Sequence, residues 1–115
     1  MLETIIRDYL SEKLDVPVEF VKPKTKPEQY IMLHRIDGGQ TDHISAGTLS
    51  VICISKSSLY DALLLSNKTK TILSKSIELH QISSAKLGGE SGEVNSSERG
   101  YEYELIYNFY YYEEE

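Results

Sequence analysis

The clearest pattern in the chain is an alternation of apolar and polar positions over residues 100–115, GYEYELIYNFYYYEEE. One parity is entirely apolar or aromatic and consists of Tyr101, Tyr103, Leu105, Tyr107, Phe109 and Tyr111. The other parity consists of Glu102, Glu104, Ile106, Asn108 and Tyr110. A period of two predicts a long β-strand whose first face seals the core. The second face is too apolar to be only a solvated surface, which favours contact with another protein.

Two other segments have helical spacing. The first is amphipathic through Leu2, Ile5, Ile6, Tyr9 and Leu10, with a possible extension to Leu14. It is predicted to end at residues 15–17, because the residue before a proline avoids the α region. The second begins after Ser57 or Ser58, and Ser58 with Asp61 resembles a capping box. Its predicted inner stripe is Leu59, Ala62, Leu63, Ser66, Thr69 or Lys70, and Leu73.

Shorter apolar runs predict four further strands, at residues 18–21, 30–36, 48–55 and 82–87. In the second of these, Tyr30, Met32 and His34 fall on one face. The element order α-β-β-β-α-β-β predicts an α+β fold of two layers, in which a mixed, mostly antiparallel sheet packs with two helices. A length of 115 residues predicts one domain, 1–115.

Three stretches are predicted to be loops from their composition. Residues 22–27, KPKTKP, combine two prolines with three lysines. Residues 37–47 open with the turn signal DGGQ and are polar, so we expect them to be exposed. Residues 88–99 are rich in Gly, Ser and Glu and are predicted to form a mobile loop.

The net charge of -6 is unevenly distributed along the chain. Residues 1–89 carry 10 acidic and 11 basic side chains, whereas residues 90–115 carry 8 acidic side chains and Arg99 alone. Such an acidic end repels phosphates, so we expect no sequence-specific nucleic acid partner. Basic residues cluster instead at Lys22, Lys24 and Lys26 and at Lys68, Lys70 and Lys75. These separated charges either pair copies head to tail or are simply solvated.

Catalytic signatures are absent from the sequence, which has no P-loop, GxGxxG, HExxH or GxSxG motif. The group His34, Asp37, Asp42 and His43 has residue types that bind metals, but its spacing matches no metal motif. Cys53 lies in an apolar run and is predicted to be a core residue rather than a nucleophile. Glu102 and Glu104 are predicted to be a solvated face or a contact between subunits rather than an acid–base pair. We therefore expect no enzymatic activity, cofactor or metal.

The N-terminal sequence lacks the pattern of a signal peptide, and no apolar run approaches membrane-spanning length, so no membrane partner is expected. The order of elements, together with several segments, resembles the tail-terminator, or tail-to-head joining, proteins of long-tailed phages and prophages. The segments are MLETIIRDYLSEKL leading into DVPVEF, then PKTKPEQYIMLHRIDGG, TLSVICISKSSLYDALLLSNKTKTIL and the final strand opening on RGYEYELIY. The resemblance covers nearly the whole chain, although YYYEEE extends beyond the expected end of the family's last strand.

The resemblance implies a structural protein of the virion, assembled in the bacterial cytoplasm and located at the tail–head junction. Its subunits would form a ring, commonly a hexamer, that stops polymerisation of the tail tube. Its partners would be other copies of itself, the major tail tube protein and a head-completion or connector protein. Alternatives are another neck or minor tail component, and a bacterial peptide-binding module. The candidate interface residues are Lys22, Lys24, Lys26, Asp37, Gln40, Asp42, His43, Arg99, Glu102, Glu104 and Tyr110.

Overall fold

The structure is a computed structural model that describes residues 2–21, 27–41, 44–94 and 100–112, apart from the side chains at positions 37, 40, 41, 93 and 94. Its elements, in chain order, are α1 (Leu2–Lys13), β1 (Val18–Glu19), β2 (Gln29–Thr41), β3 (Ile44–Ser55), α2 (Leu59–Ser74), a 3-10 turn (Ser76–Glu78), β4 (Ile82–Val94) and β5 (Tyr101–Tyr111). The predicted α+β class and the order of helices and strands are confirmed.

The five strands form one sheet in the order β1-β2-β3-β5-β4. β1 pairs with β2 in parallel, and every other pair is antiparallel. β5 therefore lies between β3 and β4, paired on both sides along its whole length. The mixed, mostly antiparallel sheet predicted from the sequence is confirmed.

Both helices pack on one face of this sheet, which we call the inner face. The core joins the buried stripe of α1 and that of α2 to inner-face residues of the strands. On β5 these residues are Leu105, Tyr107, Phe109 and Tyr111, as the alternation predicts. Tyr101 and Tyr103 lie on the same face but are only half-buried. Full burial of one large apolar side chain contributes roughly 2 kcal/mol, so this cluster dominates the stability of the fold.

Helix α2 begins where its cap is predicted. The Ser58 hydroxyl accepts a hydrogen bond from the backbone N–H of Asp61 at 3.1 Å, which satisfies one of the free donors of the first turn. The predicted inner stripe is partly wrong, because Leu65 is buried while Leu59 and Leu63 are only half-buried. The observed stripe has the spacing i, i+3, i+4, i+7 and consists of Ala62, Leu65, Ser66, Thr69 and Leu73.

The prediction of a loop at residues 37–47 is wrong for the described residues, because β2 extends to Thr41 and β3 begins at Ile44. Pairing extends past the turn signal, with Gly38 opposite Gly47 and Thr41 opposite Ile44. A register shift between Arg35 and Asp37 marks a bulge in β2. Backbone pairing with β3 outweighs the weak strand propensity of the two glycines, and propensity of this kind is a poor guide inside a sheet. Asp42 and His43 lie outside the described residues.

The predicted loop at residues 88–99 is also wrong over its first half, because β4 runs from Ile82 to Val94. Residues 89–94 pair with β5, Gly88 lies at a register shift, and Val94 lies opposite Tyr101. A long partner strand can hold a Gly- and Ser-rich segment in the sheet, because each paired residue gains backbone hydrogen bonds. Residues 95–99, including Arg99, lie outside the described residues. β1 is shorter than predicted and ends at Glu19.

One glycine has a backbone conformation that other residues rarely adopt. Gly100, which precedes β5, has a φ of 88°. A Cβ atom at this position would lie 2.8 Å from the carbonyl oxygen of Ser55. The chain therefore enters the central strand through a close approach to the end of β3 that requires glycine.

Candidate subunit interface

The sheet face opposite the helices, here called the outer face, is covered by no described helix. Its rows cross the sheet from β2 to β4, and one of them contains Met32, Ile52, Glu104 and Ser91. The first three of these side chains are half-buried. A half-buried sheet face that mixes apolar and polar groups is the kind of surface found in protein–protein interfaces.

Glu104 lies in the middle of the outer face. The buried hydroxyl of Ser50 donates to its Oε2 at 2.5 Å across the β3–β5 pair. This bond satisfies the serine and fixes the direction of the carboxylate, while the remaining lone pairs of Glu104 stay available for another donor. The structure therefore places this predicted interface residue on a surface that a partner can reach.

Glu102 is different. It was predicted to be either solvated or in a contact between subunits, and the first of these alternatives is wrong. The side chain is only 9% exposed and lies in a row with Tyr30 and Ile54, which are buried as well. The strand is central, so both its neighbours shield the carboxylate, which a pattern within one strand does not reveal. Within the described residues, Glu104 is the more accessible of the two carboxylates.

The end of the outer face near Asn108 and Tyr110 of β5 is exposed. Tyr110, a predicted interface residue, is 53% exposed. Its neighbour Asn108 is exposed and accepts a hydrogen bond from Thr48 at 2.8 Å. Asp37 and Gln40 lie in β2, and the structure describes their backbone but not their side chains. Lys22, Lys24 and Lys26 lie outside the described residues.

The two edges of the sheet offer a second kind of contact. Among the described strands, β4 pairs only with β5, so no described strand lies on its other side. β1 pairs with β2 at Ile31 and Met32, and no described strand lies beside β2 after Leu33. Unpaired strand edges present N–H and C=O groups that can bind another strand. The extension of β4 that creates this long edge was not predicted from the sequence.

A group of charged side chains on the inner side of the sheet was also missed. The Lys70 ammonium lies 3.1 Å from both carboxylate oxygens of Glu90, and the Tyr103 hydroxyl donates to the same carboxylate at 2.9 Å. The Tyr103 bond, then the Lys70 bond, lowers the pKa of Glu90, and this carboxylate raises the pKa of Tyr103. The group joins α2 to β4 and β5. This group contains no nucleophile, so we interpret it as a structural link between the helix and the two strands.

Cys53 is a core residue, as predicted. Its side chain is fully buried, and Sγ lies 3.7 Å from Oγ1 of Thr69 on α2. Burial raises the pKa of the thiol to about 12, so thiolate is scarce at neutral pH. The position does not favour nucleophilic chemistry.

A groove lies between the end of α1 and the first half of α2. Its volume is about 340 Å³, and it is lined by Lys13, Leu14, Asp15, Val16, Gln29, Asp61, Leu64, Leu65 and Lys68. Positive and negative side chains alternate around it, so it has no net preference for an anion or a cation.

Among the described residues, no group of three or more His, Cys, Asp or Glu side chains is arranged to hold a metal ion. Neither helix in the described ranges is both long and apolar enough to cross a membrane. The chain matches no protein-family model, and no curated protein sequence matches it. The resemblance to tail-terminator proteins therefore stays a prediction.

Proposed function

We propose that this protein is a non-enzymatic assembly protein of a phage or prophage virion. In this proposal it caps the tail tube, stops its polymerisation and joins the tail to the head connector. The observation that carries the proposal is the single sheet, whose outer face is covered by no described helix and whose two sides end, among the described strands, in the edges of β2 and β4. The order of elements that resembles the tail-terminator family supports it.

A ring requires a heterologous interface, in which one surface of a subunit meets a different surface of the next. The edges formed by β2 and β4 are two such different surfaces, and they lie on opposite sides of the subunit. The acidic residues 90–115 and the weakly basic remainder provide opposite charges that orient such a contact. The proposed ring is a homo-oligomer, with a hexamer as the expected size.

The remaining partners are the major tail tube protein on one side of the ring and a head-completion or connector protein on the other. The outer face around Glu104 and Tyr110 and the tip of the β2–β3 hairpin are the surfaces proposed for them. The protein would be made in the cytoplasm of the bacterial host and act at the tail–head junction of the virion.

The test has two parts. Negative-stain electron microscopy and mass photometry of the purified protein should detect closed rings with a hole wide enough for duplex DNA. The protein, added to the tube protein encoded beside it while tubes polymerise, should shorten the tubes and appear at one end of each. If tube length is unchanged and no protein is bound at the tube ends, the proposal is contradicted. That result would also exclude a cap whose ring forms only on the tube.

Two alternatives have an observation in their favour. The open strand edges also suit a bacterial module that binds an extended peptide by strand addition. Another neck or minor tail component would use the same subunit at a different place in the particle. Immunogold labelling of virions distinguishes these functions. Label at the tail–head junction favours the terminator, and label elsewhere on the particle favours a minor component. Absence of label favours the peptide-binding module.

A further inference from the structure

We infer that β4 pairs with β4 of a second copy, antiparallel over residues 84–91, in a two-fold dimer. This contact differs from the head-to-tail contact of a ring, because the same surface of each copy takes part and the assembly closes at two copies. The inference goes beyond the proposed function and adds a regulation to it. A copy whose β4 edge is paired in a dimer cannot offer that edge to a neighbour in a ring.

The hydrogen-bonding directions in β5 establish which groups of β4 point away from the sheet. The N–H of Tyr112 donates toward β4, to the carbonyl oxygen of Gln81. Directions alternate along a strand, so every second residue of β5 faces β4, and its partner in β4 faces back toward β5. The residues of β4 between those partners direct their N–H and C=O groups outward, and they include Ala85, Leu87 and Glu90.

This edge of β4 is accessible over its middle part. Leu87 is 40% exposed and Glu90 is exposed as well, whereas Ala85 is half-buried. Among the described residues, the outward N–H and C=O groups of these three residues have no hydrogen-bond partner. An edge of this kind can bind another strand when the side chains beside it fit.

A bulge sets the pattern of side chains along the edge. The register of β4 against β5 shifts between Leu87 and Gly89, so Gly88 is an extra residue. Lys86 and Gly89 consequently lie on the outer face, whereas Leu87 and Glu90 lie on the inner face. Residues that lie opposite each other in an antiparallel pair share a face, which limits a two-fold contact to a few registers.

One of these registers suits the residue types. With the two-fold axis beside Leu87, the exposed Leu87 side chains of the two copies lie opposite each other and cover one another. An axis at Lys86 would bring two lysines together, and an axis at Glu90 would bring two glutamates together, which is unfavourable for strand pairing. An axis at Gly89 would leave Leu87 opposite the Glu90 carboxylate. The register centred on Leu87 avoids all three arrangements.

The outer rows of this register also fit. Ser84 lies opposite Ser91 of the second copy, and hydroxyl side chains can form hydrogen bonds across such a pair. Ala85 lies opposite Glu90, whose carboxylate is held toward α2 by the Lys70 ammonium at 3.1 Å. A small side chain therefore faces a carboxylate that has its own cation, and no like charges lie opposite each other.

Gly89 lies opposite Lys86 of the second copy in the same register. A Cβ atom on Gly89 would meet no atom within 4 Å, and its φ is not positive. The packing of its own chain therefore gives no reason for a glycine there, whereas the aliphatic stem of a lysine from a second copy does. An edge lysine normally discourages pairing, but here the missing side chain of the glycine gives it room.

A disulfide between copies tests the register. Ser84 and Ser91 of the second copy form a non-hydrogen-bonded pair, and the Cα atoms of such a pair lie about 4.5 Å apart, within the range of a disulfide. The double variant Ser84→Cys/Ser91→Cys should, after mild oxidation, run as a dimer on a non-reducing gel. A ladder of larger species would indicate a head-to-tail contact and overturn the two-fold dimer. Cys53 can remain in place because it is buried.

The matched control is Lys86→Cys/Ser91→Cys, which keeps one thiol and moves the other along the same face to the diagonal position. The Cα atoms of diagonal neighbours lie about 7–8 Å apart, beyond the usual reach of a disulfide, so no dimer band should form. Efficient linking of the control pair, with none of the first pair, would overturn the register.

A substitution at Leu87 tests the contact without cysteine chemistry. Leu87→Arg should leave the subunit folded, as checked by its melting temperature, because the side chain is 40% exposed. Two guanidinium groups would then meet at the two-fold axis and raise the apparent Kd of the dimer about tenfold or more in sedimentation velocity. Leu64→Arg, at a 41% exposed position of α2, is the control and should not change the Kd. Equal Kd values for the two variants would contradict the contact.

The disulfide also tests the regulation. The oxidised Ser84→Cys/Ser91→Cys dimer should neither form rings nor shorten tubes, and reduction should restore both. Rings that form from the oxidised dimer as readily as from the reduced protein would show that the dimer does not regulate assembly.

The outcomes separate this inference from the proposed function. If the wild-type protein forms rings, yet shows no dimer and the Ser84–Ser91 cysteine pair does not link, the inference is wrong and the ring remains. If that pair links into a dimer, yet the reduced protein neither forms rings nor caps tubes, the proposed function is wrong and the dimer remains.

Discussion

The Tyr9 hydroxyl donates to Oε1 of Glu78 at 2.9 Å and joins α1 to the 3-10 turn after α2. Burial, followed by this bond, raises the pKa of Tyr9 to about 12 from its ordinary value near 10. A group with a raised pKa in the folded state stabilises the fold fully below the unfolded pKa. The stabilisation from Tyr9 is therefore present below about pH 10 and is lost as the pH rises toward 12.

We expect Tyr9→Phe to lower the free energy of unfolding by about 1 kcal/mol at pH 7, because it removes a hydrogen bond of a nearly buried hydroxyl. Urea unfolding at pH 7, 9 and 10.5 should show this difference unchanged up to pH 9 and smaller at 10.5. Tyr60→Phe, at an exposed tyrosine of α2, is the control. Equal effects of the two substitutions would show that the Glu78 bond contributes nothing.

Cys53 allows a second test on a single residue. With the thiol buried and its pKa raised to about 12, we expect no reaction of the folded protein with a thiol reagent such as DTNB at pH 8. The same protein in guanidinium chloride should react with one equivalent within the mixing time of a manual assay. Rapid, stoichiometric labelling of the folded chain would mean that β3 is not packed under α2 as described.

Among the elements, α2 depends on its N-cap. Ser58→Ala removes the side chain that accepts from Asp61, and we expect the free energy of unfolding to fall by about 1 kcal/mol. Ser11→Ala, at an exposed position of α1, is the matched control and should be neutral or slightly stabilising, because alanine is the better helix former. Denaturant titration followed by circular dichroism measures both. If the Ser58→Ala protein is as stable as the control, the Ser58 cap does not stabilise α2.

The entry to β5 depends on Gly100. Gly100→Ala should destabilise the protein by about 1–3 kcal/mol, because alanine is strained at a φ of 88° and its Cβ would press on the carbonyl oxygen of Ser55. Gly39→Ala is the control, since a Cβ there meets no atom within 4 Å, and it should be neutral or stabilising. Thermal unfolding of the two variants gives the comparison, and similar melting temperatures would contradict it.

Some of the elements could be predicted from the sequence, and others could not. Alternation from Tyr101 to Tyr111 and the Ser58 cap are local signals, and both gave correct elements. The extension of β4 past Leu87 and the hairpin through Gly38 depend on pairing with β5 and β3. Those partners are distant in sequence, so residues 37–47 and 88–94 read locally as turns. The candidate strand edges were not predicted for the same reason. The burial of Glu102 was not predicted either, because neighbouring strands cause it.

For the whole molecule, the position of β5 makes the sheet depend on one segment. Within the described sheet, β5 is the strand that pairs the β2–β3 hairpin with β4, and the buried Leu105, Tyr107 and Phe109 belong to it. A chain of residues 1–99 should therefore show no cooperative thermal transition. Adding a peptide of residues 100–112 should restore one. A cooperative transition of the shortened chain alone would contradict the dependence.

The central place of β5 also bears on synthesis at the ribosome. The α1 helix, the β2–β3 hairpin and α2 emerge first, yet the edge of β3 that β5 will occupy stays bare until residues 101–111 leave the exit tunnel. Between the emergence of β3 and that of β5, a nascent chain therefore carries an unpaired strand edge, which can bind wrong partners and makes chaperone binding useful at that stage. A chain whose translation stops before β5 cannot complete its sheet. Incomplete chains are thereby kept out of any assembly that is built from folded subunits.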